Sequence, residues 1–361
     1  MRKIYFLVSS ILISSIALHA QEDTTATDDD FDFSDFELAA PPAKAFCSNK
    51  VLGQSPTSLI GVFYNQQLPH ELSIGAPSNS VLHPADTVQI DGAHQFSLVS
   101  NIPIISRNNI LINLGVNYDR QTYTINNIDG HPFANELNDR ALHRANLTLT
   151  VFKPLNERTF VLAQLQSELN GNYTFEDIDF SKTKFPLAIL YGWKPNDRLM
   201  YAFGLSRTYL GGALNYVPII YYYGTFKNQK WGIEALLPAR AMLRYRFNSL
   251  SYMGLGFNVN GASFSMSPAA TPAILPAVPS YYDAQDLELR RSEIRAGLQY
   301  SRQLNGFFWM SVEAGYRINY SYSVDQNGDF LRFFGSDDPY YIENDLANTP
   351  YFTIGLSYVS P

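Results

Sequence analysis

The chain has 361 residues, 16% of them charged and 14% aromatic, with a formal net charge of −7. Soluble domains carry nearer a quarter charged residues, and an acidic balance argues against nucleic acid as a partner. The single cysteine, Cys47, excludes an internal disulfide and argues against a cysteine-based metal site.

Residues 1–20 read as an export signal. Arg2 and Lys3 open it, a mostly apolar stretch runs from Ile4 to Leu18, and Ala20 is the small residue expected before a cleavage. No run of about 18 apolar residues follows, so no transmembrane helix is expected. Residues 21–57 read as an acidic leader and linker, with Glu22, Asp23, Asp28, Asp29, Asp30, Asp32, Asp35 and Glu37 in its first half. It has too little apolar area to fold alone. Phe31, Phe33 and Phe36 interrupt the acids and could dock a partner; a solvated tail is the other reading.

From residue 58 onward the chain reads as strands with period-two alternation. Candidates are Ser58–Gln67, His94–Ile105, Ile110–Thr124, Leu142–Lys153, Thr159–Asn170, Phe185–Lys194 and Met200–Tyr209. Ala213–Tyr223, Trp231–Leu237, Arg240–Asn248, Tyr252–Phe264, Leu287–Gln303, Phe307–Ser323 and Tyr351–Tyr358 complete the set. Connections alternate between short, such as Ser106–Asn109 and Pro195–Leu199, and long, such as Leu68–Ala93 and Val324–Pro350. Several strands exceed the 5–6 residues usual in soluble sheets and reach the roughly 9–11 needed to cross a bilayer. Aromatics collect at strand ends, as Tyr191 with Trp193 and Tyr245 with Phe247 do. The fold expected for residues 58–361 is therefore all-β: an antiparallel up-and-down transmembrane β-barrel of about 14 strands (12–14). It would sit in a bacterial outer membrane among its lipids, inserted by the barrel assembly machinery, with both termini on the short-turn, periplasmic side. A partner there could read the acidic leader.

Parity assigns the faces. In residues 309–322, Met310, Val312, Ala314, Tyr316, Ile318 and Tyr320 alternate with Ser311, Glu313, Gly315, Arg317 and Asn319. Ile294, Ala296 and Leu298 likewise alternate with Arg291, Glu293, Arg295 and Gly297, and Ala241, Leu243 and Tyr245 with Arg240, Arg244 and Arg246. The apolar sets must meet lipid, where a mid-bilayer Arg or Lys costs about 2–4 kcal/mol. Glu288, Arg290 and Arg302 fall on the lipid parity, near strand ends. A three-residue loop Leu304–Gly306 is expected to set Glu293 directly opposite Arg317, with their charges in contact. Glu234, Arg244, Arg246, Arg291, Glu293, Arg295, Glu313 and Arg317 would then form a charged lumen wall. It either selects a solute or stiffens the interior as an ion-pair network.

Catalytic and metal signatures are weak. His70, His83, His94, His131 and His143 lack metal-ligand spacing. His94 and His143 lie near the outer rim, where a lipid hydrolase would need a Ser–His pair, but no trio stands out. No cofactor is expected. The loop 265–286, with Pro268, Pro272, Pro276 and Pro279, would fold into the mouth as a plug or remain an exposed tip.

Residues 198–248 carry Pro218 in VPIIYYY, Trp231-Gly232, Leu237-Pro238 and Arg244-Tyr245-Arg246. This stretch resembles the uncharacterised outer-membrane β-barrels grouped as a domain of unknown function in Gram-negative bacteria. The resemblance implies a barrel and no substrate. The last strand alternates through Phe352, Ile354, Leu356 and Tyr358 but ends on Val359-Ser360-Pro361, where many such barrels end on an aromatic. The function expected is a channel or a solute-binding barrel with a charged lumen; the alternatives are a rim enzyme acting on lipid and a structural or adhesive barrel.

Overall fold

The computed structural model describes residues 45–75, 85–126, 132–174, 176–266, 287–326 and 340–359. Residues 1–44, where the export signal and the acidic half of the leader are expected, and residues 267–286, all but the first two of the expected plug loop, lie outside the described residues. The elements are β1 (Ser58–Gln67), β2 (His70–Ile74), β3 (Asp86–Arg107), β4 (Ile110–Asn126), α1 (Pro132–Asp139), β5 (Leu142–Pro154) and β6 (Thr159–Gly171). They continue with β7 (Leu187–Asn196), β8 (Leu199–Thr208), β9 (Asn215–Thr225), β10 (Trp231–Leu237), β11 (Arg240–Asn248) and β12 (Ser251–Ser265). The last are β13 (Leu287–Asn305), β14 (Phe308–Gln326), β15 (Asp345–Leu346) and β16 (Thr349–Val359).

Strands β3 to β14 pair in chain order, β16 pairs with β14, and β1 pairs with both β16 and β3. The result is a closed antiparallel barrel of 14 strands. Alternation is what closes it: one parity of each strand offers Ile60, Leu98, Ile189, Phe203, Leu243, Leu255, Leu298 and Ile354 outward, all exposed. A belt of bare aliphatic and aromatic side chains around a closed barrel is a lipid-facing surface, and the protein is an outer-membrane barrel. Near the short turns, Tyr191 packs edge-on to Trp193 at 4.9 Å, Trp231 on Tyr245 at 4.8 Å and Phe308 on Tyr358 at 5.5 Å. These rings form the expected interfacial girdle. Leu255, 59% exposed between Leu243 and Leu298, gives a direct test. Leu255→Arg is expected to cost about 2–4 kcal/mol and to lower the temperature at which the barrel loses its compact gel mobility. An unchanged transition would mean that this face does not meet acyl chains.

The β13–β14 hairpin departs from the expected register. Arg295 stands opposite Arg317 and Glu293 opposite Asn319, not Arg317. The turn holds two residues, Gly306 and Phe307, with Gly306 at φ +54°. The register shifts between Gln303 and Asn305, so a bulge at Leu304 supplies the one-residue offset that a longer loop was expected to supply. Both inward sets thus stay inward. A second shift, between Ser292 and Glu293, skips Tyr320 and so reverses the parity of β14 alone. Against β12 the alternation of β13 is unbroken, so Glu288 and Arg290 stay on the side of Ile294 but meet Lys184 and Asp325 there in place of lipid. Arg290 pairs with Asp325 at 2.8 Å, Glu288 pairs with Lys184, and all but Lys184 are nearly sealed from solvent.

The loop end is built differently from the belt. Strands β7 to β11 are short, with 10, 10, 11, 7 and 9 residues. Beyond Asn258, β12 leaves β11 and reaches β6, where Ser265 pairs with Gly171. On the other side β15 joins β2, and Ile342 bridges Val324 of β14. The longer strands therefore form a narrower tier standing over the short ones. Its interior is packed with Leu72, Ile90, Tyr123, Phe264, Leu289, Tyr322 and Ile342, all nearly inaccessible. Helix α1 contributes Phe133, Ala134 and Leu137 from one face. This apolar core closes the mouth. The strands β2 and β15, helix α1 and the upper reach of β3 lie where only loops were expected.

His70, buried at the base of this tier, bonds through Nδ1 to the Leu68 carbonyl at 2.7 Å. Burial, reinforced by the Arg317 charge, pulls its pKa from 6.5 down to about 4. The unfolded chain takes up a proton below 6.5 that the native site refuses until about 4. Stability is therefore expected to fall as pH drops through that window, by on the order of 2–3 kcal/mol in all. His70→Gln should flatten this part of a melting-temperature profile against pH; an unaltered profile would assign the slope to other groups.

Candidate functional site

The barrel is occupied at its turn end. Residues 45–57 enter there, and Cys47 and Val51 bury against inward side chains of the wall, among them Phe152, Phe160, Met200 and Ile219. The amide of Cys47 donates to the Asn156 carbonyl at 3.1 Å and that of Leu52 to the Asp197 carbonyl at 2.7 Å, so the segment is stitched to two short turns. Lys194, buried on the inner wall, donates from Nζ to the Lys50 carbonyl at 2.8 Å and to the Ser48 carbonyl at 3.3 Å. Thr225 Oγ1 donates to the Leu52 carbonyl at 2.6 Å. The chain turns at Gly53, whose φ of +72° suits glycine. A buried ammonium reading backbone carbonyls is a specific dock, since the charge must be hydrogen-bonded to be tolerated there.

The expected lumen charges fall into two groups at different depths. Beside the docked segment, Arg244 Nε lies 3.0 Å from Glu234 Oε1, and the same oxygen accepts from the Ser55 amide at 2.8 Å. Arg246 lines the space around Lys50, Gly53 and Ser55. Deeper, towards the loop end, Arg295 Nε lies 2.7 Å from Glu293 Oε1, and Arg317 Nη1 4.0 Å from Glu293 Oε2. The Glu293–Arg317 contact thus forms despite the changed register. Arg295 also donates to Gln95 Oε1 at 3.1 Å and lies over the Tyr351 ring at 5.6 Å. Tyr351 donates its hydroxyl to Glu313. Its ring rests on two glycines: a Cβ at Gly315 would meet the Tyr351 ring at 2.8 Å and the Ala296 carbonyl at 2.3 Å. Arg291 sits above this group, bonded to Gln121 and 5.0 Å over the Phe264 ring. The sequence pattern places these eight residues on one wall and does not single out Lys194, Tyr351 or Gln95. The small residues Gly297 and Gly315 were the available signal for Tyr351.

Between the two groups lies a cavity of about 440 Å³. Gln54 and Ser55 of the docked segment form its floor, with Tyr223, Glu234, Arg240, Asn258, Gln299 and Glu313 on its walls. A second space, a cleft of about 200 Å³, lies at the low rim over β7 to β10. The β10–β11 hairpin borders both: its Leu236–Ala239 line the cleft and its Arg240–Met242 line the cavity. The rim histidines point elsewhere. His94 Nδ1 is 2.8 Å from the Tyr64 hydroxyl and His143 Nδ1 2.8 Å from the Tyr118 hydroxyl. Both pairs sit on the outer surface, each built on tyrosine and not on serine. Among the described residues no group of His, Cys, Asp and Glu is placed to hold a metal ion.

A family model described as a domain of unknown function, DUF6268, matches residues 76–359. The chain belongs to this family. The DUF6268 region begins after β1, so the docked segment and the strand that completes the ring both precede it. No curated protein matches the chain. Solved structures similar to this DUF6268 barrel are outer-membrane barrels. They include an outer membrane channel from Pseudomonas putida F1, 12% identical, covering 85% of this chain and 97% of that one, at a TM-score of 0.40. A Pseudomonas aeruginosa FadL homologue is 9% identical over 88% of this chain and 100% of that one, at 0.36. The KdgM porin in complex with disordered oligogalacturonate is 8% identical over 83% and 99%, at 0.33.

Proposed function

We propose that this DUF6268 protein is a gated outer-membrane barrel that binds a small solute in its lumen and lets it pass when residues 45–57 leave. The observation that carries this reading is the polar cavity of about 440 Å³ whose floor is a separate, hydrogen-bonded segment of the chain. A barrel serving only as a scaffold has no use for a floor held by a buried lysine and a shared carboxylate, whereas a gate needs a specific seat. The turn end faces the periplasm in this reading, as short turns do in such barrels, and the acidic leader emerges there, within reach of a periplasmic partner. An open porin does not fit, because a packed core occupies the loop end and the docked segment occupies the other. Planar-bilayer recording of the mature chain against one lacking residues 45–57 tests the gate. Liposome swelling with sugars of graded size then sets the width of the opened path.

A further inference from the structure

We propose that the low-rim cleft and the adjoining cavity hold an amphipathic monocarboxylate, its apolar tail in the cleft and its carboxylate on Arg240. This names a ligand class for the gated barrel proposed above and rests on that reading. The cleft is walled mainly by Leu187, Ala188, Val217, Ile219, Leu236 and Leu237, with Gln164, Gln166, Ser206 and Arg207 also on its lining; Arg207 is turned to the Phe185 carbonyl at 2.7 Å. Next along the hairpin after Ala239, the last cleft residue on it, Arg240 lines the cavity. Arg240 Nη2 donates to the Tyr223 hydroxyl at 3.1 Å, and the Tyr223 ring is stacked on Tyr221 at 4.5 Å. Among the described residues no ion pair joins Arg240 to a carboxylate. The two acids lining the same cavity are engaged: Glu234 by Arg244 at 3.0 Å and by the Ser55 amide, and Glu313 by the Tyr351 hydroxyl.

An incoming carboxylate therefore meets a guanidinium with unused donors and displaces no acid, the condition for a two-pronged charge-assisted contact. At Arg240 itself a cation would be repelled, and an uncharged solute would forgo the charge-assisted contact. The mouth explains why the ligand should have a tail. β10 has only 7 residues, about 23 Å of tilted strand, where a full crossing takes roughly 9–11 residues. The hairpin at Leu237–Ala239 thus stops short of the far boundary of the hydrocarbon. Leu187 and Leu237, both exposed, edge the mouth, so acyl chains can slide in from the leaflet.

The test uses the mature chain in nanodiscs of zwitterionic lipid, with empty discs subtracted, and radiolabelled decanoate as probe. Saturable binding is expected, weakened about tenfold by Arg240→Ala, largely kept in Arg240→Lys, and not competed by decylammonium. Compact gel mobility of each variant controls for folding. Equal affinity in Arg240→Ala, competition by decylammonium as strong as by unlabelled decanoate, or no saturable binding overturns the proposal. Conductance of the chain lacking residues 45–57 is measured alongside. A deletion that conducts without decanoate binding overturns the ligand and leaves the gate; a silent deletion with saturable binding overturns the gate and keeps the ligand.

Discussion

Deleting residues 45–57 is expected to turn a silent barrel into a conducting one. Fourteen strands about 4.8 Å apart and tilted by about 40° make a ring roughly 28 Å across between backbones. Inward side chains narrow that ring without closing it, so the lumen at the turn end is shut only by what is inserted. Removing the segment takes away the apolar contacts of Cys47 and Val51 and the floor supplied by Gln54 and Ser55. Lys194 and Glu234 then face water, which solvates both charges. The onward path runs through the cavity, past Arg240 and out at the low rim, so the expected conductance is modest and anion-preferring. Lys194→Met tests the same seat without a deletion. It leaves the Ser48 and Lys50 carbonyls without their buried donor and should give brief openings where the wild type shows none. A deletion that stays electrically silent while correctly inserted would sink the gate.

Glu293→Gln is expected to be the most destabilising single change in the wall, by about 3–5 kcal/mol. Glu293 and Arg317 are both 0% exposed, and Arg295 leans on the same carboxylate. Two guanidiniums thus share one acid, with carbonyl and amide oxygens from Ala347 and Gln95 taking further N–H groups. Neutralising the acid leaves two cations in a sealed place with only dipoles to answer them, and the desolvation already suffered is no longer offset. Thermal transitions followed by gel mobility should drop sharply for Glu293→Gln and partly recover in the double variant Glu293→Gln with Arg317→Met. Independent, additive effects of the two changes would show that the groups do not act as a unit.

Much of the belt was legible because lipid on one side and a polar lumen on the other impose a strict two-residue rhythm. Strands such as β8, β11 and β14 lie within a few residues of where alternation puts them. The rhythm disappears where both faces are dry. From Leu287 to Glu293 every residue of β13 is buried, so apolar and charged side chains run together and no face can be read. β2 and β15 escape for another reason: β2 alternates, burying His70, Leu72 and Ile74 and exposing Glu71 and Ser73, but it has only five residues and β15 two, too few for a rhythm to stand out. Register failed for a narrower reason: parity demands an offset between β13 and β14 but does not say whether a loop or a bulge at Leu304 provides it. Of the candidate site, parity put Glu293 and Arg317 on one face; they meet at 4.0 Å as diagonal neighbours, not as the directly opposed pair expected. The seat of the docked segment was not legible, because Lys194 finds its acceptors 144 and 146 residues away in sequence, and no local pattern encodes such a pairing.

β1 comes first among the strands yet pairs with β16, the last. The seam of the cylinder therefore joins the two most distant parts of the sheet, and it cannot zip until the final strand has been made. Residues 45–57 are tethered directly to β1, so they can be laid into the open sheet before that seam shuts. Insertion of the stopper and completion of the wall would then be one late event in assembly. Contacts of such long sequence separation form slowly, and a chain stalled before this step should present an unzipped edge and an empty bore at the same time.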